Sequence, residues 1–167
     1  EGCESGGHIG ELTTMALVPQ VADAVSVPVI AAGGIADGRG VAAAFALGAQ
    51  AVQCGTVFVC AEESPACDVY RRQIIDAKDT DTIVTGREGG APIRSIKTKF
   101  TRRLLKMENQ NVDRVEFEKA AAGSLRKAVQ DGNLDEGTFM AGQISGLVKA
   151  VEPAQAIVDR LMREGEE

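Results

Sequence analysis

The first 60 residues alternate between apolar runs of strand length and longer segments with a helical pattern. Residues 26–32 and 50–54 are the apolar runs, and each predicts a buried strand, with residues 57–60 extending the second run. Helices are predicted from Thr13 or Thr14 to about residue 25, and over residues 37–47. This order of loop, helix, strand, helix and strand is typical of a parallel α/β structure.

Two residues constrain these helices. Asp37 is placed to cap the second helix, because its carboxylate can accept hydrogen bonds from the first free backbone N–H groups. Pro19 is expected in the first helix only within the first turn, because a proline further along removes a helical hydrogen bond.

After residue 61 the pattern becomes mainly helical, with one strand-like run at residues 82–85 and a flexible glycine-containing loop at residues 86–90. The predicted helices cover residues 66–78, 93–107, 115–122, 124–130, 138–151 and 153–163. The 93–107 helix is amphipathic, and its polar face is either simply solvated or docks an acidic partner or an anionic nucleotide. The basic residues of that face are Arg94, Lys97, Lys99, Arg102, Arg103 and Lys106.

Glycines follow both predicted strands of the first part, as Gly33-Gly34 and as Gly55-Thr56. Glycine lets the backbone approach a ligand closely, so its N–H groups can donate to an anion. The N-terminus of the helix after Gly34 would add partial positive charge. These two strand ends therefore predict a phosphate site, of the kind that lies after strands 7 and 8 of a (β/α)8 barrel. The alternative is ordinary turn glycines.

The only histidine, His8, lies in a glycine-rich loop at residues 2–10. With so few neighbouring side chains, its imidazole can project into a cavity and exchange a proton near neutral pH. An exposed or capping histidine is the alternative. Gln143 could hydrogen-bond the edge of a cofactor, or it could be a polar residue on a packed helix.

Composition excludes several classes of protein. The 167 residues carry a net charge of −6, which argues against nonspecific nucleic-acid binding. No apolar run approaches the roughly 20 residues of a membrane span. The spacing of the four cysteines fits neither a metal site nor a disulfide framework, so we expect reduced thiols, a cytoplasmic location and no bound metal. Cys54 and Cys60 are predicted to be packing residues.

Four stretches of the chain, EGCESGGHIGELTTM, PVIAAGGIADGRG, ALGAQAVQCGTVF and MAGQISGLV, together resemble one superfamily. It contains the FMN-dependent enoyl-acyl-carrier-protein reductases of the FabK type and the related nitronate monooxygenases. The 82–107 segment and the MAGQ tail are more similar to the reductase branch. The resemblance implies the C-terminal part of a TIM (β/α)8 barrel, with strands 7 and 8 and their helices, plus a mostly helical C-terminal elaboration. Its expected divisions are residues 1–62, 63–135 and 136–167.

The resemblance also implies an FMN site. His8 would be the catalytic histidine facing the flavin, with cofactor-binding residues after strands 6, 7 and 8 and one on the C-terminal tail. Those cofactor-binding residues are Ser5, Gly6, Gly7, Ala32, Gly33, Gly34, Gln53, Cys54, Gly55, Thr56 and Gln143. Cys54 departs from the family, which more often has Val or Met there, but its backbone would do the binding.

The implied activity is reduction of enoyl-acyl-carrier-protein by NAD(P)H in fatty-acid synthesis, in a homodimeric full-length enzyme. Because the chain starts without Met, directly in the glycine-rich loop, we expect it to be the C-terminal part of a longer protein and inactive alone. The alternatives are a nitronate monooxygenase and an inactive fragment that needs a partner chain.

Overall fold

The computed structural model describes residues 1–166, and the fold over them is α/β. The strands are β1 Gly7–His8, β2 Ile30–Ala32, β3 Ala51–Gln53, β4 Thr82–Thr85 and β5 Ile93–Ile96. The helices are α1 Thr14–Ala24, α2 Gly38–Ala46, α3 Thr56–Val59, α4 Asp68–Ile75, α5 Lys99–Asn109, α6 Arg114–Ala121, α7 Ser124–Val129 and α8 Ala154–Glu166, with a 3₁₀ turn at Gln143–Leu147. None of the helices described is long and apolar enough to cross a membrane. The division at residues 62 and 135 stays a prediction.

Strands β2 and β3 pair in parallel, with Ala31 opposite Val52, which confirms the two strands predicted in the first part. Both are shorter than the apolar runs that indicated them. Pro28 lacks a backbone N–H for a ladder hydrogen bond, and β2 begins two residues after it. The second edge of β2 has no strand partner among residues 1–166, and Ile30 is 61% exposed there.

The predicted helix over residues 93–107 is wrong in its first part. Residues Ile93–Ile96 form strand β5, which pairs antiparallel with both β1 and β4, and only Lys99–Asn109 is helical. Apolar side chains at residues 93 and 96 are compatible with either a helix or a strand. The segment is a strand because it pairs with β4, on the other side of the loop at residues 86–90. The start of α5 could have been predicted from the local sequence, because Thr98 and Thr101 form a reciprocal capping box there.

Because residues 93–96 form a strand, the basic residues predicted for one helix face are divided between β5, the residues after it and α5. Arg94 is buried in β5, and two of its guanidinium N–H groups donate to the Cys3 carbonyl at 2.9 and 3.2 Å. The Lys97 ammonium donates to the Thr80 carbonyl. The cationic face of α5 therefore consists of Lys99, Arg102, Arg103 and Lys106, all exposed.

The predicted helix over residues 138–151 is also wrong. Residues 138–142 are irregular, Met140 bridges to Ser95, and a 3₁₀ turn begins at Gln143. We call residues 138–143 the strap. The main chain of Gly142 lies so close to the glycine-rich loop that an added Cβ would be 2.8 Å from the Glu4 carbonyl. This tertiary contact holds the strap extended, against its helical pattern.

Two smaller differences concern helices near the parallel sheet. Pro19 lies inside α1 beyond the first turn. Because proline has no backbone N–H, the carbonyl of Met15 receives no helical hydrogen bond. Met15 is exposed, so water can donate to this carbonyl instead. Residues 56–59, most of which belong to the apolar extension of the second run, form the single-turn helix α3, which was not predicted. The predicted break between α6 and α7 is confirmed at Gly123, whose φ is 70°.

The core joins the C-terminal helix to the first part of the chain. Ile157 and Leu161 of α8 are buried in one apolar cluster with Val41 and Ala44 of α2. The side chain of Ile157 is 1% exposed, whereas its neighbour Val158 is 42% exposed. The contact between α2 and α8 thus fixes the helix that connects β2 to β3.

We expect Ile157→Ala to lower the free energy of unfolding by about 2–5 kcal/mol, because it leaves a cavity in a packed interface. Val158→Ala is the matched control and should change stability by no more than about 0.5 kcal/mol. Urea denaturation followed by circular dichroism measures both. Equal effects of the two substitutions would contradict this packing of α8.

Candidate functional site

Three segments of main chain converge on a cavity of about 290 Å³. They are the glycine-rich loop, the end of β2 and the end of β3. Nine of the predicted cofactor-binding residues lie in its wall: Ser5, Gly6, Ala32, Gly33, Gly34, Gln53, Cys54, Gly55 and Thr56. The two strand ends that were expected to share a ligand therefore do face one space.

The backbone of this cavity can donate hydrogen bonds to an anion. Gly33 and Gly34 have φ values of 100° and 73°, which side-chain-bearing residues rarely adopt. Across residues 1–166, the amide N–H groups of Gly34, Gly55 and Thr56 donate to no other protein atom. They are available to a ligand.

We expected the N-terminus of α2 to add partial positive charge to the phosphate site, and this prediction is wrong. The Asp37 carboxylate accepts hydrogen bonds from the backbone N–H groups of Arg39 and Gly40, and the Gly38 N–H donates to Glu164. A hydrogen bond from the Arg39 side chain lowers the pKa of Asp37, so the cap is charged at neutral pH. Asp37 is the predicted cap, and because it occupies the start of α2, the donors at the cavity are the amide of Gly34 and those of Gly55 and Thr56 at the start of α3.

The strap closes one side of the cavity and is held from three directions. The Tyr70 hydroxyl donates to the Met140 carbonyl at 2.6 Å, and the Gly142 N–H donates to Thr56 Oγ1 at 2.9 Å. The Gln143 N–H donates to the Glu4 carbonyl at 2.8 Å. Tyr70, the only tyrosine in the sequence, was not among the predicted site residues. Burial raises its pKa, which keeps the hydroxyl protonated as a donor.

Two polar side-chain atoms in the wall are notable. The Ser5 hydroxyl is buried and has no hydrogen-bond partner among residues 1–166, although it lies at the cavity. A buried hydroxyl without a partner costs free energy, and a ligand with a polar group would remove that cost. Burial raises the pKa of the Cys54 thiol, so this side chain is neutral and adds no negative charge.

Three other predicted residues lie outside the wall of this cavity. Gly7 and His8 form β1, with His8 opposite Ile93, and the exposed imidazole makes no hydrogen bond within the described residues. Gln143 lines a neighbouring cavity together with Glu4 and Gly34. The roles assigned to these residues stay predictions. Residues 1–166 contain no cluster of three or more acidic, histidine or cysteine side chains that could hold a metal ion.

The family model described as nitronate monooxygenase matches residues 1–164, so the chain belongs to the nitronate monooxygenase family. The members it resembles are oxidoreductases.

The most informative solved structure is that of FabK from Thermotoga maritima, which is 50% identical with a TM-score of 0.95. The alignment covers 99% of this chain and 52% of FabK. A nitroalkane oxidase from Streptomyces ansochromogenes is 30% identical with a TM-score of 0.78, over 99% of this chain and 50% of that one. A probable nitronate monooxygenase of Staphylococcus saprophyticus is 36% identical over 100% of this chain and 50% of its own length. The chain thus spans about half the length of the curated relatives it matches.

We expect Gly6→Ala to disturb the strap, because its Cβ would lie 2.7–2.8 Å from the main chain of Ala141. The cost in stability should be about 1–3 kcal/mol, as for other overpacked sites. Hydrogen exchange of the Gly142 and Gln143 amides should become faster. Gly10→Ala is the matched control, since the nearest atom to its Cβ is 3.7 Å away. Unchanged exchange in Gly6→Ala would contradict the close packing of loop and strap.

Proposed function

We propose that this chain supplies the flavin-phosphate half of an FMN-dependent enoyl-acyl-carrier-protein reductase that uses NAD(P)H. One observation carries the proposal: the glycine-rich loop and the ends of β2 and β3 converge on one cavity with free main-chain amides. The 50% identity to FabK supports the reductase over other activities of the family. In this proposal, β2 and β3 are strands 7 and 8 of a (β/α)8 barrel.

The wall of the cavity fits the phosphate and ribityl groups of FMN. A phosphate needs several N–H donors at close range, and the amides of Gly34, Gly55 and Thr56 have no other acceptor among the residues described. The Ser5 hydroxyl needs a partner, and a ribityl hydroxyl can provide one. A volume of about 290 Å³ suits this part of the cofactor better than the complete flavin.

When bound, FMN supplies the hydride chemistry between NAD(P)H and the enoyl thioester. The protein groups bind and orient the reactants. His8, with its exposed imidazole, would hydrogen-bond the thioester carbonyl or protonate the enolate that develops from it. The strap, held by Tyr70 and Thr56, would exclude water from one side.

The carrier-protein part of the proposal is supported by charge. Lys99, Arg102, Arg103 and Lys106 are exposed on one helix of a chain whose net charge is −6. The described residues include no salt-bridge partner for any of these four. An acidic carrier would be attracted to this face, so the rate with the carrier-bound substrate should fall as salt increases.

Nitronate monooxygenase is the second candidate, favoured by the matching family model and by the name of the Staphylococcus relative. To separate the two, the complete protein loaded with FMN is given NAD(P)H and a crotonyl thioester, or a nitronate and oxygen. We expect thioester-dependent oxidation of NAD(P)H. Turnover of the nitronate without any turnover of the thioester would reject the reductase and support the second candidate.

We expect His8→Ala to reduce thioester turnover by about 10²–10⁴-fold while FMN remains bound, because the substitution removes the proton donor and leaves the phosphate site intact. Glu11→Gln, an exposed position in the following turn, is the control and should keep full activity. Steady-state kinetics together with the flavin absorbance of the purified variants measures both effects. Unchanged turnover in His8→Ala would remove His8 from the mechanism.

A further inference from the structure

We propose that Thr14 is a positioning residue that orients the Gly33–Gly34 peptide, and that it thereby makes the site selective for a phosphorylated flavin. The inference rests on the proposed function, since it assumes that FMN phosphate is the anion at this turn. Thr14 was predicted only as one of two candidate helix caps, and it does not line the cavity of about 290 Å³.

The Gly33–Gly34 peptide needs something to fix its orientation. Both glycines have positive φ, at 100° and 73°, and neither has a side chain that restricts rotation of the peptide between them. The Gly33 carbonyl and the Gly34 N–H belong to this one planar group and point in opposite directions. If the peptide rotated by half a turn, the cavity would present a carbonyl to the phosphate instead of a donor.

The Thr14 hydroxyl supplies this constraint. Its oxygen lies 2.9 Å from the Gly33 carbonyl oxygen, 3.1 Å from Glu4 Oε2 and 3.3 Å from the Ala32 carbonyl oxygen, so its proton has its shortest contact with Gly33. A Cβ built on Gly33 would be only 3.0 Å from the Thr14 hydroxyl oxygen. Because the carbonyl is held against Thr14, the Gly34 N–H is directed away from Thr14. That N–H has no acceptor in the described protein, and Gly34 lines the cavity.

Glu4 in turn holds Thr14 in place. Thr14 is the first residue of α1, and its backbone N–H donates to both carboxylate oxygens of Glu4, at 3.1 and 3.0 Å. The N-cap residue Thr13 makes no such bond with its own side chain, so Glu4 caps the helix from the glycine-rich loop. A carboxylate is stabilised at a helix N-terminus. This contact also fixes the negative charge of Glu4, which lines the cavity, on the helix end.

The test measures how tightly the complete protein binds FMN and riboflavin, which lacks the phosphate. Quenching of flavin fluorescence gives the dissociation constant of each flavin. The wild type should prefer FMN. Thr14→Val removes the hydroxyl and keeps the backbone N–H, so FMN should bind about 3- to 10-fold more weakly, as for one lost hydrogen bond. Riboflavin should bind as before. Thr14→Ser should restore the preference, and Thr13→Val is the matched control on the adjacent threonine.

Each other outcome has a distinct meaning. An unchanged preference for FMN in Thr14→Val would overturn the inference, and equal weakening of both flavins would assign Thr14 a purely structural role and overturn it too. If the valine variant does not fold, Thr14→Ala makes the same comparison. A wild type that binds FMN no better than riboflavin, or binds neither, would instead reject the proposed phosphate site itself.

Discussion

The structure depends on close contact between stretches of main chain, with no side chains between them. A Cβ on Gly6 would lie 2.7 Å from the main chain of Ala141, and one on Gly33 would lie 3.0 Å from the Gly2 carbonyl. The glycine-rich loop is therefore packed between the strap and the end of β2. This packing explains why the wall of the cavity consists largely of backbone, and why it can offer amide groups to a ligand.

The electrostatics of the cavity follow from the same construction. Its wall includes two carboxylates, from Glu1 and Glu4, and no lysine or arginine. The nearby cation, Arg94, is committed to the Cys3 carbonyl and to the Thr82 hydroxyl, and burial lowers its pKa. Among the described residues, an anion in this cavity would meet backbone dipoles and hydroxyl groups, so their orientation would matter more than in a site built around a cationic side chain.

Features governed by local sequence were predictable. The two parallel strands, the cap at Asp37 and the break at Gly123 each depend on a few neighbouring residues, and the structure has all three. The convergence of Gly34 and Gly55 on one cavity followed from the common edge of parallel strands. The turns after β2 and β3 could thus be predicted, because the alternation of strands and helices along the chain determines where they lie.

Features governed by distant contacts were not predictable. The segment from Ile93 to Ile96 has a spacing that suits a helix, and its pairing with two other strands overrides that preference. The strap is extended because Thr56, Tyr70 and Glu4 bind its backbone from separate segments. No local pattern around residue 140 indicates these partners. The contact of Thr14 with the turn after β2 was not predictable for the same reason, since its acceptor at Gly33 lies 19 positions later.

The proposed catalytic histidine and the turns that line the cavity belong to different sheets. His8 belongs to the antiparallel sheet of β1, β5 and β4, while the amide-bearing turns follow the parallel pair β2 and β3. A shift of the β4–β5 hairpin would reach the imidazole through the pairing of β5 with β1, the glycine-rich loop through the bonds of Arg94 to Cys3, and the strap through the bridge of Ser95 to Met140. Evolutionary change in this hairpin is therefore constrained, because a residue that alters the position of His8 must also preserve the packing of the loop and the strap around the cavity.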